Sequence, residues 1–241
     1  MSRGVSQLVG FVLVFTIVLS TAGVAYTAGV SSLGEVRSAE QANNAERGFQ
    51  SLSHNIDDMV ASDATRRVTS VRLGGGTLTY GDTVTMNLTV VGKDVSYGAS
   101  YRPLVYETEN GERFVYSGGM VTRGRESGHA VVRQPPFRFG TDTLVPFMVT
   151  RPTGSNAGAI SGRTTVAIRT TLGGRQEFAR RTDGPYTIRF NVTTSRTDVW
   201  QRTLESNGLD CSTADATTVT CETTTQSIHV ALVRLNVKYV A

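Results

Sequence analysis

Between Arg3 and Glu35 the chain carries no charged residue, a run of 31 positions. As a helix it would extend about 46 Å, longer than the roughly 30 Å hydrocarbon core of a bilayer. Residues 8–26 hold eleven Leu, Ile, Val or Phe. On an insertion scale these are worth roughly −5 kcal/mol before the small and polar residues subtract from it. We therefore expect a transmembrane helix over residues 5–33. Only Arg3 and the amino terminus precede it, and since positive charge stays inside, everything after residue 34 is expected outside the cytoplasm.

Three fates are open to such a segment. A secretory signal would be cut after the small residues Gly23 and Ala25, a plain anchor would stay whole, and a third type of signal is cut ahead of the apolar run, after Gly4. The residues beyond the run favour retention, because the helical pattern does not stop. From Glu35 to Asp63 there is no Pro, and apolar residues recur at Val36, Ala39, Ala42, Ala45, Phe49, Leu52, Ile56, Met59 and Val60, in steps of mostly three or four that form one amphipathic stripe. The spacing predicts a helical stalk over 34–65, with Gly34 and Gly48 as places for a bend. Phe49, Leu52, Ile56 and Met59 are the residues expected to pack the stalk on the head.

After Arg66 the period falls from about 3.6 to 2. Strands are expected at 68–73, 83–91, 130–133, 144–151, 164–171, 186–194 and from 228 to the end, with Gly74-Gly75-Gly76 as a turn. Leu104-Val105-Tyr106 and Phe114-Val115-Tyr116 flank Glu109-Asn110-Gly111-Glu112, a hairpin whose Asn-Gly pair suits left-handed backbone. Thr197–Asn207 reads as one short helix, capped by Thr197 or Ser195 and stopped at Asn207-Gly208. In the last strand Ile228, Val230 and Leu232 alternate in one phase and Val233, Leu235, Val237 and Tyr239 in the other, predicting a bulge or burial on both faces. The expected fold is α+β: a long transmembrane and amphipathic helix, then a mainly antiparallel, β-sandwich-like head over 66–241.

Charge divides along the same lines. Residues 35–65 carry 2 Arg against 6 acids, a net −4, and residues 66–241 carry 21 Lys and Arg against 14 acids, a net +7. A basic head raises nucleic acid as a partner. Its arginines, among them Arg66, Arg72, Arg102, Arg113, Arg123, Arg133, Arg151, Arg169 and Arg189, are scattered singly along strands and do not cluster on one helix, so they read as solvated faces and no nucleic-acid partner is expected.

Chemistry has little material. With 3 His and 2 Cys, no metal cluster is expected, no cofactor motif occurs, and Gly74-Gly75-Gly76 lacks the helix and Lys of a phosphate loop. His54, His129 and His229 have no Ser, Cys or Asp at a spacing that specifies a triad. The acids Asp57-Asp58 and Glu107, Glu109 and Glu112 read as solvated. The chain is not expected to be an enzyme. In an exported domain Cys211 and Cys221 would form a disulfide worth about 3 kcal/mol, and in the cytosol they would be free thiols. Asn87-Leu88-Thr89 and Asn191-Val192-Thr193 are N-glycosylation acceptor patterns.

Arg3-Gly4, followed by Val5-Ser6-Gln7-Leu8-Val9-Gly10 and a long apolar helix, resembles the amino-terminal signature of archaeal, in particular haloarchaeal, type IV pilin-like proteins. The resemblance covers about 30 residues, with Gln7 where that family commonly has Pro. It implies processing at Arg3, Gly4 and Val5 by a prepilin-type peptidase and removal of a leader over 1–4. It also implies other pilin-like subunits as partners through the retained helix, where small residues such as Gly10 and Gly23 permit close approach. The expected role is structural or adhesive at the cell surface. An anchored binding module that never polymerises is the alternative, and an exported enzyme the third reading.

Overall fold

The computed structural model describes residues 3–62, 64–125, 128–154 and 158–240. The first helix, α1 (Arg3–Ala61), continues through both Gly34 and Gly48. At Gly48 the reason for the glycine is contact and not a bend, since a Cβ there would stand 3.1 Å from a methyl of Val71. Among the described residues the next elements are the strands β1 (Arg66–Arg72), β2 (Thr77–Tyr80), β3 (Val84–Val90), β4 (Val95–Tyr101), β5 (Leu104–Glu107), β6 (Arg113–Ser117), β7 (Met120–Arg125), β8 (Gly128–Arg133), β9 (Asp142–Pro152), β10 (Ile160–Ser161), β11 (Thr165–Arg181) and β12 (Tyr186–Thr193). The helix α2 (Thr197–Ser206) then precedes β13 (Asp210–Asp215), β14 (Thr218–Thr225) and β15 (Ser227–Val240). The fold is α+β, with an N-terminal apolar helix and mostly antiparallel sheets.

Two compact units divide the chain, Met1–Gln41 and Ala42–Ala241. The helix ends at Ala61, short of the expected stalk limit of 65, and strand begins at Arg66, but compactness begins at Ala42, where the stripe of α1 becomes buried. Within the second unit the sheets run β1-β11-β15-β9, β10-β2-β5-β6-β7-β8 and β13-β14-β12-β3-β4. Neighbours are antiparallel except β15 and β9.

The phase change in the last strand has a packing cause. β15 pairs with β9 in one unbroken register from Ser227 to Val237, so it carries no bulge of its own against that neighbour. The irregularities lie in β11, at Leu172/Gly174 and Glu177/Ala179. Successive side chains of a strand point to opposite faces, and the two halves of β15 serve two cores. Ile228, Val230 and Leu232 join Phe147, Phe190 and Trp200, whereas Val233, Leu235, Val237 and Tyr239 join Phe49, Tyr106, Phe114 and Tyr116. The four-stranded sheet thus feeds both cores, the first shared with the five-stranded sheet and α2, the second with the six-stranded sheet and α1.

Local chemistry departs from expectation in two turns. In the β5–β6 hairpin only Gly111 is left-handed, at φ +75°. The loop is closed instead by Thr108, whose N–H donates to the Glu112 carbonyl at 2.9 Å and whose hydroxyl accepts the Glu112 N–H at 3.0 Å. Ahead of α2 the capping position is Arg196, with no side-chain cap, and neither Thr197 nor Ser195 fills that role. The buried Thr194 hydroxyl accepts the Arg196 N–H at 3.2 Å and turns the chain before the helix starts. Asn207 and Gly208 do end α2, Gly208 at φ +86°.

Candidate functional site

Leu8–Thr27 is long and apolar enough to cross a membrane, and its large side chains, such as Leu8, Phe11 and Val24, are exposed. A hydrocarbon environment demands that polar groups be satisfied within the segment. The hydroxyls of Thr16, Thr21 and Thr27 meet that demand by donating one turn back to the carbonyls of Val12, Ile17 and Gly23, at 2.8, 3.0 and 3.1 Å. A Cβ at Gly10, Gly23 or Gly29 would meet nothing within 4 Å, which leaves flat stretches for another helix. Arg3, Gly4 and Val5 lie in the first turn of α1, and Met1 and Ser2, of the expected leader, lie outside the described residues.

The second half of α1 is part of the core. Phe49, Ile56 and Met59 are 0% exposed and Leu52 1%, while Val36, on the same stripe, is 61% exposed. Phe49 lies 6.4 Å from Phe114 of β6, centroid to centroid, and Phe114 carries the Arg123 guanidinium 5.5 Å above its ring. Four arginines from four strands then fix the helix. Arg123 of β7 bridges Glu46 at 2.8 Å and Glu112 at 2.5 Å, and both carboxylates hold its charge more firmly than usual. Arg133 of β8 pairs with Asp57 and Arg67 of β1 with Asp58. Arg175 of β11 donates to the carbonyls of Met59 and, at 2.6 Å, Ser62, two of the acceptors that a helix end leaves without partners.

Arg123 and Arg133, expected to be solvated, are ion-paired and only about a third exposed, and the acids expected to be solvated are also paired, Asp57 and Glu112 mostly covered and Asp58 still 42% exposed. Glu107 likewise pairs with Arg113, at 2.7 Å. The sequence signal was present only in bulk, as an acidic stalk and a basic head. Which arginine meets which acid depends on strand register. Burial raises the Asp57 carboxyl above its ordinary value, outweighing the pull of Arg133, and Asp57 Oδ1 is enclosed without a partner among the described residues.

Alternation turns Asn87 of β3 and Asn191 of β12 to one face of the five-stranded sheet, away from buried Met86, Leu88, Phe190 and Val192. The two asparagines, 104 residues apart in sequence, are direct register partners. A row crosses all five strands there: Ser212, Thr220, Asn191, Asn87 and Gly98. Cys211 and Cys221 are also register partners and are bridged by a disulfide. It fastens the edge strand β13 to β14 and adds Cys221 to the first core.

A polar cleft of about 580 Å³ opens where β5, β6 and β8 approach the start of α2. Glu107, Arg113, His129, Arg196 and Asp198 line it. His129 is held below its ordinary pKa by burial and by the Arg196 charge. His54 lies exposed on α1, and His229 stands 3.7 Å from Glu177. Among the described residues no group of three or more His, Cys, Asp or Glu is arranged to hold a metal ion.

Residues 3–238 match a protein family described as a family of unknown function (DUF7289). No curated protein and no solved structure matches the chain. The family match starts in the first turn of α1 and ends in β15, taking in the apolar helix and all three sheets together, and the chain belongs to this family, DUF7289.

Proposed function

We propose that this chain is a pilin-like surface protein, held in the membrane by residues 5–33 and carrying a sandwich-like head outside the cytoplasm, with a structural or adhesive role in a filament or at the cell surface. One observation carries the reading. A single helix, Arg3–Ala61, is bare and apolar over Leu8–Thr27 and built into the core of the head from Ala42 onward. A cleaved secretory signal has no need to continue into the hydrophobic core of the domain that it exports. A subunit whose apolar half-helix must hold the head at a membrane or in a bundle does need that continuity. The Cys211–Cys221 disulfide fits an oxidising compartment, and the back-bonded threonines and open glycines of α1 suit a lipid or helix-packed environment. The partners this implies are the membrane, a prepilin-type peptidase and other pilin-like subunits.

The test is the mass of the mature amino terminus together with fractionation. Removal of Met1–Gly4, a start at Val5 and co-purification with sheared surface fibres are expected. An intact Met1, or a start near Tyr26, would falsify the processing step. The polar cleft beside α2 favours a second reading, an anchored binding module that does not polymerise. In that case the protein stays with the membrane fraction when fibres are sheared away.

A further inference from the structure

We infer that the two acceptor patterns at Asn87 and Asn191 form one modification site, which takes a single N-linked glycan at Asn87 and leaves Asn191 bare. The inference rests on the placement of the head outside the cytoplasm.

The geometry forbids equal treatment of the pair. As register partners, their Cβ atoms lie roughly 4.5–5.5 Å apart. A pyranose ring is about as wide as the ~4.8 Å spacing between strands, so two glycans cannot both rise from adjacent positions without displacing one another. The surroundings of the two differ. Asn191 lies on the central strand, with Thr220 on one side and Asn87 on the other, and its Oδ1 is enclosed without a partner among the described residues. Asn87 has Asn191 on one side and, on the other, the exposed Gly98, which has no side chain. That glycine leaves an open lane beside Asn87. The Ser96 hydroxyl donates to Asn87 Oδ1, which engages the amide oxygen and leaves Nδ2 as the atom for the sugar.

Chain order acts in the same direction. Both asparagines sit inside strands, so a transferase must reach them before the sheet closes. β3 pairs early with β4, through a hairpin, but its other edge stays open until β12 arrives. At about 5–20 residues per second, the separation of 104 residues gives Asn87 a lead of roughly 5–20 s. Asn191 emerges to find β3 and β4 waiting, and it is enclosed as soon as β12 docks. The reaction is a displacement at the anomeric carbon of a polyprenyl-phosphate-linked sugar. The bond from Asn87 Nδ2 to C1 forms, the C1–O bond to the phosphate breaks, the lipid phosphate leaves with the electron pair, and one amide proton passes to a base of the transferase. Thr89, two residues on, supplies the hydroxyl of the acceptor pattern.

The experiment is glycopeptide mass spectrometry on the full chain, purified from a host whose surface proteins carry N-glycans, alongside digestion of intact cells with an external protease. The expected result is one glycan on the Asn87 peptide and an unmodified Asn191 peptide. Asn87→Gln and Thr89→Ala should each abolish the glycan, and Asn191→Gln and Thr193→Ala should each leave its mass and occupancy unchanged. Thr89→Ala keeps Asn87 itself and so separates loss of the acceptor pattern from loss of the fold. Sugar on Asn191, on both residues, or on neither in a head that the protease reaches would overturn the inference alone. A head that the protease does not reach and that carries no sugar would overturn the outside placement with it.

Discussion

Phe49→Ala and Glu46→Lys, three residues apart on α1, separate the forces that hold the helix in the head. Phe49 is fully enclosed and packs on Phe114. Truncation of such a ring costs about 3–5 kcal/mol, and a domain of this size loses roughly 2–4 °C of melting temperature per kcal/mol, so Phe49→Ala should lower Tm by about 6–20 °C. Glu46 reaches Arg123 at 2.8 Å, but the two side chains are 27% and 35% exposed and Arg123 keeps Glu112. An exposed pair is worth about 1 kcal/mol at most, and reversal adds a repulsion of similar size. The same scale then gives a loss of about 2–8 °C at 0.1 M salt. At 1 M the Debye length falls from about 10 Å to about 3 Å, and most of that loss should disappear, whereas the Phe49→Ala loss should persist. The assay is thermal unfolding at both salt concentrations, in protein beginning at Glu35, which retains the whole compact unit from Ala42. Equal losses for the two variants at 1 M salt, or a larger loss for Glu46→Lys, would refute the assignment of this segment to the core. It would then be a solvated spacer.

Starting the chain at Thr65 instead of Glu35 removes Phe49, Leu52, Ile56 and Met59. Their burial is worth about 6–12 kcal/mol, comparable to a whole domain stability of about 5–15 kcal/mol, so the shorter protein should show no cooperative unfolding transition. Gly48→Val should cost about 1–3 kcal/mol by overpacking against Val71, read as a fall in denaturation midpoint. Asp57 has a folded pKa raised above its unfolded value, so through this group stability rises as pH falls from 7 through the folded value. Asp57→Asn should remove that contribution, seen as a smaller gain or a larger loss in Tm between pH 7 and pH 4.5 than in the parent protein. Replacing both Cys211 and Cys221 by Ser should cost about 3 kcal/mol by loop-closure entropy. Hydrogen exchange should place the loosening first at β13, the edge strand that the bridge fastens.

Much of the architecture is local and therefore legible in the sequence. The uncharged run, the three-to-four spacing up to Met59 and the switch to period 2 at Arg66 follow from the geometry of single elements, and they specify α1, β1 and the hairpin of β5 and β6 without knowledge of any neighbour. Strands such as β4 and β13 escaped the same reading. Their outward residues include Ser, Gly and Asp, and of their inward ones Val95, Tyr97, Ala99 and Cys211 are only half-buried, so alternation of apolar and polar residues is weak there and the pairing partner sets the conformation.

Periodicity alone was enough to specify the kind of α1, β1, β3, β12 and β15 and the faces they must bury, including the phase change at Leu232. The cause of that phase change emerged only in three dimensions: one strand passes between two cores, and contact with both makes burial on alternate faces favourable. The residue pairs emerged in the same way. Arg123 with Glu46, Arg133 with Asp57, and Asn87 beside Asn191 join positions 76 to 104 residues apart. Their proximity is set by strand order and register, quantities that no local pattern of hydrophobicity or charge encodes, because a charge pair or a sheet neighbour gains its energy only after the core has brought the strands together.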